Sequence, residues 1–218
     1  MDMTATERRT KFARSITLVN LASQAEVADD DVLSGLLGWA TQFLTHPHVD
    51  LGRTGPVCPY TAPSLNRKML WAAVVRGSEL TEDQVGQYTD ELIEAFSTLE
   101  PVDGPQEIYK SVMVVFPDLK DYSLIDAVQS ARKQLVVPEG LMIGQFYPGC
   151  GEAGLWNQDF RPLDCPFPLI ALRHMVASDF AFLASRREWL AAYLKRYAPA
   201  VPAPVRSAII DRLHPEND

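Results

Sequence analysis

Two histidines, an arginine and a cysteine fall within one proline-rich segment, His46–Tyr60. The segment reads HPHVDLGRTGPVCPY and has neither helical nor strand periodicity. Each proline fixes its own φ and restricts the preceding residue, so the segment can hold His48, Arg53 and Cys58 rigidly without regular hydrogen bonding. Cys58 has two interpretations: a small hydrophobe buried in a structural loop, or a thiol nucleophile that would need a partner base.

A second segment without periodicity, Met142–Pro168, leaves one predicted strand and enters another through a loop rich in glycine and proline. This loop carries Trp156, Asn157 and Arg161. Long loops without regular structure in compact domains are usually functional or disordered, and the aromatic content argues against disorder. We therefore interpret the segment as a binding loop or lid.

Arg173 and His174 interrupt an otherwise apolar strand near the C-terminal third of the chain. Because successive strand residues point to opposite faces, one of the two must face a core, a helix or a cavity. A lone interior histidine is more often a hydrogen-bonded core residue than a ligand. The adjacent arginine favours a site that holds an anionic group, and both interpretations remain open.

Standard catalytic signatures are absent from the sequence. We find no G-x-S-x-G, no Walker loop, no H-E-x-x-H and no G-x-G-x-x-G. His46, His48 and Asp50 have the residue types of a metal site, but such short spacing in a proline-bearing loop is a weak signal.

The elements that must position these segments alternate between helix and strand. Acidic residues followed by apolar residues at helical spacing predict a helix over residues 29–45, and a capping box from Thr81 to Gln84 begins another. The remaining predicted elements are strands over residues 68–76, 111–116, 141–147 and 169–176, and helices over residues 123–135 and from Ser178 or Asp179 to Tyr197. We expect an α+β fold: a mixed, mostly antiparallel sheet of about four or more strands with helices packed on one face.

Composition places the chain among ordinary globular proteins. Its 218 residues are 47% hydrophobic and 22% charged, enough for one large domain with a core that needs no disulfide or structural metal. The net charge of −8 argues against phosphate neutralisation and therefore against nucleic acid as a partner. Three well-separated cysteines and the lack of a signal-peptide or membrane-spanning run predict a cytoplasmic protein.

The predicted organisation is an N-terminal extension over residues 1–28, a single domain over residues 29–200 and a tail over residues 201–218. We expect a small-molecule substrate as the partner, with neither nucleic acid nor membrane. A homodimer is left open.

Several segments together resemble a family of bacterial and fungal proteins whose hallmark is an L-G-R-x-G-x-V-C-P-F/Y loop. The segments are LGRTGPVCPY at 51–60, MVVFP at 113–117, MIGQF at 142–146, FRPL at 160–163 and LRHMV at 172–176, followed by Asp179. The resemblance runs from Trp39 to Tyr197. The Cys-Pro loop, the V-V-F strand and the late aromatic-x-Pro loop are also similar to the YqcI/YcgG family, which includes heme-dependent enzymes that oxidise amine or guanidine nitrogen.

The second resemblance implies a heme b oxidoreductase of natural-product biosynthesis. It would act on nitrogen of a small amino-acid-like substrate, by N-oxygenation or N–N bond formation. Where that family has Leu-His-Pro, this chain has Phe146, Tyr147 and Pro148. The resemblance then makes His174 the first candidate axial ligand and His48 the second, while Tyr147 remains because tyrosine phenolate is a known heme ligand.

The same resemblance implies roles for the other candidate residues. Arg53, Arg161 and Arg173 would pair with heme propionates or a substrate carboxylate, because guanidinium binds carboxylates bidentately. Trp156 and Cys58 would line the pocket. Two alternatives from other classes stay open: a cofactor-free ligand-binding or interaction protein, and a thiol enzyme that uses Cys58.

Overall fold

The computed structural model describes residues 15–214 of the chain. These residues contain a five-stranded sheet. The strands are β1 (Val19–Asn20), β2 (Leu70–Val74), β3 (Ser111–Val115), β4 (Leu141–Phe146) and β5 (Leu169–His174). The α-helices are α1 (Gln24–Ala28), α2 (Asp31–Trp39), α3 (Thr61–Asn66), α4 (Glu82–Thr98), α5 (Ser123–Val136), α6 (Phe180–Leu183), α7 (Arg187–Tyr197) and α8 (Ala203–Leu213). A π-helical turn, Ala40–Leu44, extends α2, and short 3-10 turns cover Val49–Leu51, Glu107–Tyr109 and Ala177–Asp179.

The strand order in the sheet is β1-β2-β3-β5-β4. β2 and β3 are parallel and are joined through α4, whereas β1 with β2, β3 with β5, and β4 with β5 pair antiparallel. The predicted α+β fold with a mixed, mostly antiparallel sheet is therefore confirmed. Because β5 returns between β3 and β4, the long loop over residues 147–168 joins two neighbouring strands and β4 stays at the sheet edge.

The two faces of the sheet pack against different helices. On the first face, α4 and α5 cover a core that includes Val112, Val114, Ile143, Ile170 and Leu172. On the second face, α2 forms a separate core with β2 and β3, which includes Leu36, Leu70, Ala72, Met113 and Val115. The expectation that all helices lie on one face is wrong, because the apolar side of α2 is buried against the second face.

Local sequence signals begin α2 and α4. The Asp30 carboxylate accepts backbone N–H groups of Val32 at 2.8 Å and Leu33 at 3.1 Å, which caps α2. At α4, the Thr81 hydroxyl accepts the Gln84 N–H at 3.3 Å and the Gln84 side chain accepts the Thr81 N–H at 2.9 Å. The predicted capping box is confirmed.

The C-terminal helix predicted as one element is broken. A 3-10 turn, α6 and α7 replace it, and Arg186 between the helices is extended at φ −133° and ψ 136°. The Asp179 carboxylate does not cap a helix as predicted. It accepts hydrogen bonds from the Arg173 guanidinium and from the Val176 N–H instead. A carboxylate held in this way no longer caps the first turn of α6.

Both ends of the described chain pack against neighbouring elements. Residues 19–20 pair with β2, and the Glu91 carboxylate of α4 accepts N–H groups of Ser15 at 2.8 Å and Ile16 at 3.2 Å. α8 packs on α7. Residues 15–28 and 203–213 therefore contact neighbouring elements, while residues 1–14 and 215–218 lie outside the described residues. The predicted division into extension, domain and tail stays a prediction. In the described range, none of the helices is long and apolar enough to cross a bilayer.

Candidate functional site

A cleft of about 470 Å³ opens on the second face of the sheet, beside α2. Its floor consists of Ser111 and Met113 of β3, Met142, Gly144 and Phe146 of β4, and Leu169, Ala171 and Arg173 of β5. These positions alternate along each strand, as the two-residue period requires. The volume lies within the range of roughly 300–1,000 Å³ that is typical of small-molecule sites.

The cleft is open because two small residues lie side by side in its floor. Gly144 of β4 and Ala171 of β5 are paired across the strands. The next pair along the strands, Ile143 and Leu172, projects to the other face and is 3% and 0% exposed. A Cβ on Gly144 would lie 3.3 Å from the Phe146 ring, and a larger side chain there would occupy the cleft.

The walls of the cleft come from α2 and from both loops that the sequence singles out. The lining residues above the floor are Trp39, Ala40, Leu44, Cys58, Ala153, Leu155, Pro162, Leu163 and Phe182. Leu155 and Phe182 are 41% and 46% exposed at the rim. Apolar walls of this kind favour the burial of an apolar ligand surface.

The two loops contact each other and so hold a common wall. The Asn157 amide donates to the Asp50 carbonyl at 2.8 Å. Gly52 adopts a φ of +76°, and a Cβ there would lie 2.7 Å from the Trp156 carbonyl oxygen. Glycine is therefore required at this crossing for both conformation and space.

Arg173 and Asp179 form an ion pair at the cleft. The two terminal guanidinium nitrogens donate to the two carboxylate oxygens at 2.7 and 2.8 Å, and one of them also donates to the His174 carbonyl at 2.9 Å. Asp179 is 1% exposed, so the pair is held rigidly. Cys58 and Tyr60 are electrostatic neighbours of Arg173. The positive charge of Arg173 is thus balanced by the protein itself.

Gln129 and Lys133 reach the cleft from α5, at the open edge of β4. The Gln129 amide donates to the Ile143 carbonyl at 2.9 Å, which satisfies a backbone acceptor of this edge strand. Glu152, on the second loop, also lines the cleft. Neither Gln129 and Lys133 nor the Gly144–Ala171 pair was predicted from the sequence. The available signal was the presence of small residues within two apolar strands.

Residues 33–208 match a family model described as a domain of unknown function, DUF6875. The chain belongs to the DUF6875 family. The matched range begins in α2 and ends in α8, so it includes the cleft floor, α2 and both loops. Comparison with curated proteins and with solved structures finds no match.

Three of the predicted site residues of this DUF6875 protein lie away from the cleft lining. Arg53 donates to the carbonyls of Thr54 and Val57, each at 3.0 Å, and Arg161 donates to the carbonyls of Gln158 and Phe160. Both guanidinium groups therefore brace their own loops. Trp156 is 63% exposed and contacts the first loop through its backbone. Cys58 and Arg173 are the predicted site residues that do line the cleft.

His174 lies on the opposite face of the sheet from the cleft. Its ring is 4.9 Å from that of Phe96 on α4, and its Nδ1 is 4.0 Å from the Glu107 carboxylate. Its Nε2 is buried and has no hydrogen-bond partner within residues 15–214. Burial lowers the pKa of His174 to about 4, against the weaker opposing effect of Glu107. The imidazole is thus neutral and enclosed by core residues.

The two other predicted iron donors also lie elsewhere. His48 faces a shallow depression lined by Phe43 and Phe160, and its Nδ1 accepts the Asp50 N–H at 3.2 Å. This hydrogen bond occupies the lone pair of Nδ1. The Tyr147 hydroxyl donates to Asp126 at 2.9 Å, and burial together with this hydrogen bond raises its pKa, which disfavours a phenolate.

These positions decide how well the predicted cofactor fits the cleft. Among the described residues that line it there is no histidine and no tyrosine. A heme held in the cleft by His174, His48 or Tyr147 therefore does not fit this arrangement. The His46, His48 and Asp50 segment does not gather into a metal site either: within residues 15–214 no group of three or more His, Cys, Asp or Glu side chains is close enough to hold a metal ion.

Proposed function

We propose that this DUF6875 protein binds a small organic molecule in the cleft, with the apolar part of the ligand against Met113, Gly144 and Ala171. The observation that carries the proposal is the paired Gly144 and Ala171, which leave about 470 Å³ open above the central strands. An apolar floor with a few polar groups at its margin is typical of small-molecule sites, in which apolar burial supplies affinity and polar groups fix orientation.

The polar groups at the margin support the same proposal. Arg173 lines the cleft, and its pairing with the buried Asp179 fixes the guanidinium and balances its charge. Cys58, Lys133 and Glu152 line the cleft as well. A ligand with an apolar body and one or two polar substituents matches this distribution.

Filling the cleft tests the proposal. The probe is 8-anilinonaphthalene-1-sulfonate, whose fluorescence rises when it enters an apolar site. We expect Gly144→Val to weaken probe binding by about tenfold or more, because its methyl groups would occupy the space a ligand needs. Ala171→Val, on the paired strand, should have the same effect and serves if the first variant folds poorly.

The matched control is Gly38→Val, in α2. Apart from its chain neighbours and the backbone of its own helix, a Cβ on Gly38 meets no heavy atom within 4 Å. The same atoms are therefore added outside the cleft lining. We expect this variant to bind the probe as the unmodified protein does. Urea unfolding curves show whether each variant keeps its fold. Unchanged probe binding in both folded cleft variants would overturn the proposal.

Heme-dependent oxidation of nitrogen stays a prediction from the resemblance. The thiol-enzyme alternative retains one favourable observation, because Cys58 is partly exposed and lines the cleft. A cysteine nucleophile also needs a base, and the described lining residues include no imidazole. The cofactor-free binding function is the one that this geometry supports best.

A further inference from the structure

Lys133 is a cationic residue of the cleft that has no ion-pair partner among residues 15–214. It lies in the last turn of α5, and its amine is 3.5 Å from the Phe182 carbonyl. No carboxylate of the described chain comes within 4.0 Å of this amine. The side chain nevertheless lines the cleft, where a ligand could reach it.

A second cation shares the surroundings of Lys133. The Lys133 amine lies 4.5 Å from the centre of the Trp189 ring, and the Arg186 guanidinium lies 4.8 Å from the centre of the same ring. Burial lowers the pKa of Lys133, and Arg186 lowers it further, while Glu152 and Asp179 act in the opposite direction. Desolvation and a nearby cation favour the neutral, nucleophilic amine, whereas the contact with the Trp189 ring favours the ammonium.

Lys110 shows what a purely structural lysine looks like in the same molecule. It is 1% exposed, and its amine donates to the carbonyls of Phe96 at 3.0 Å and Leu99 at 2.8 Å. Those bonds satisfy the C-terminal end of α4. Lys133 makes one long contact of this kind, to the Phe182 carbonyl, and lines the cleft beside it.

We propose that the Lys133 amine forms an imine with the carbonyl carbon of an aldehyde or ketone that binds in the cleft. The inference rests on the proposed small-molecule site and specifies the chemical class of its ligand. The neutral amine attacks the carbonyl carbon, and the resulting carbinolamine loses water. A C=N bond replaces the C=O bond, the carbonyl oxygen leaves as water with the two amine protons, and nothing is oxidised or reduced.

Reductive trapping tests this inference on the full chain. Benzaldehyde is the probe, and sodium cyanoborohydride reduces any imine to a stable secondary amine that peptide mass spectrometry locates. At pH 7 we expect Lys133 to be labelled at least about tenfold faster than the exposed Lys120, because its amine is less protonated and faces an apolar cleft. Lys133→Arg, which keeps the charge, should remove this fast labelling, and Lys120→Arg should not.

Two results separate this inference from the proposed function. Gly144→Val should slow labelling of Lys133, because it denies the probe its place in the cleft. If benzaldehyde labels the surface lysines and Lys133 at equal rates, the imine proposal is wrong, even where the anilinonaphthalene probe still binds in a Gly144-dependent way. Loss of that Gly144-dependence would overturn the proposed cleft function itself.

Discussion

The two faces of the sheet are formed by the same strands, but side chains fill one face and leave the other open. The pair Ile143 and Leu172 fills the first face and is almost completely buried. The adjacent pair, Gly144 of β4 and Ala171 of β5, points to the second face and leaves it open. The difference lies in side-chain volume at alternate positions rather than in strand geometry, and it decides which face can accept a ligand.

The polar groups on the two faces differ in the same way. His174, on the first face, is buried against Phe96 and held neutral. Arg173, its neighbour in the chain, faces the cleft and pairs with Asp179 at 2.7 Å. The first face encloses a neutral histidine in a closed core, whereas the second face carries a charged pair beside an open cleft. Substitutions on the two faces should therefore have different consequences for stability and binding.

The largest expected difference is in the stability of the fold. Leu172→Ala on the filled face should lower the free energy of unfolding by about 2–5 kcal/mol, since it leaves a closed cavity. Met113→Ala in the cleft floor should cost only roughly 1–2 kcal/mol, because the space it creates joins a cleft that solvent can enter. Urea unfolding followed by circular dichroism measures both values.

These two variants form a matched comparison because both residues are buried on neighbouring central strands, at 0% and 6% exposure. For either variant, a changed slope of the unfolding free energy against urea concentration would indicate an altered unfolded or native state. The two destabilisations could then not be compared directly. Equal destabilisation by both substitutions would mean that the second face is as closely packed as the first, contrary to the cleft.

A smaller effect concerns the dependence of stability on pH. Burial lowers the pKa of His174 from 6.5 to about 4 in the folded protein. Between these pH values the unfolded chain binds a proton that the folded chain does not. Stability is therefore full above pH 6.5 and falls as the pH drops towards 4, by up to about 3 kcal/mol from this group. Unfolding free energies at pH 7 and pH 5 measure the loss.

His174→Gln should reduce this pH dependence, because the amide does not titrate in the range. His46→Gln is the control, since His46 is exposed on the first loop and its substitution should leave the dependence in place. If His174→Gln and the unmodified protein lose stability equally between pH 7 and pH 5, His174 is not the group responsible.

Sequence patterns predicted strands β2 to β5 and helices α2, α4 and α5, but not the cleft. They missed β1, α1, α3 and α8 and merged α6 with α7. Strand positions 141–146 and 169–174 followed from apolar runs, and their two-residue period placed Arg173 and His174 on opposite faces. The two-residue period does not tell which face is filled. That depends on which helices pack on each face and on the volume of the side chains there. The same limit hid Lys133, whose helical position gives no sign that it reaches a cleft at the edge of β4.

The smallest expected effect is an unchanged absorption spectrum. It tests the heme prediction for a ligand on each face of the sheet. Hemin is titrated into the protein, and the Soret band near ~400 nm is followed. We expect His174→Ala to leave the absorption spectrum unchanged, because the imidazole lies beneath α4 on the face away from the cleft. Any band that depends on the cleft should instead weaken in Gly144→Val. A band that His174→Ala shifts or abolishes, in a variant that circular dichroism shows to be folded, would mean that the first face opens to admit a ligand, and the contrast between a filled and an open face would fail.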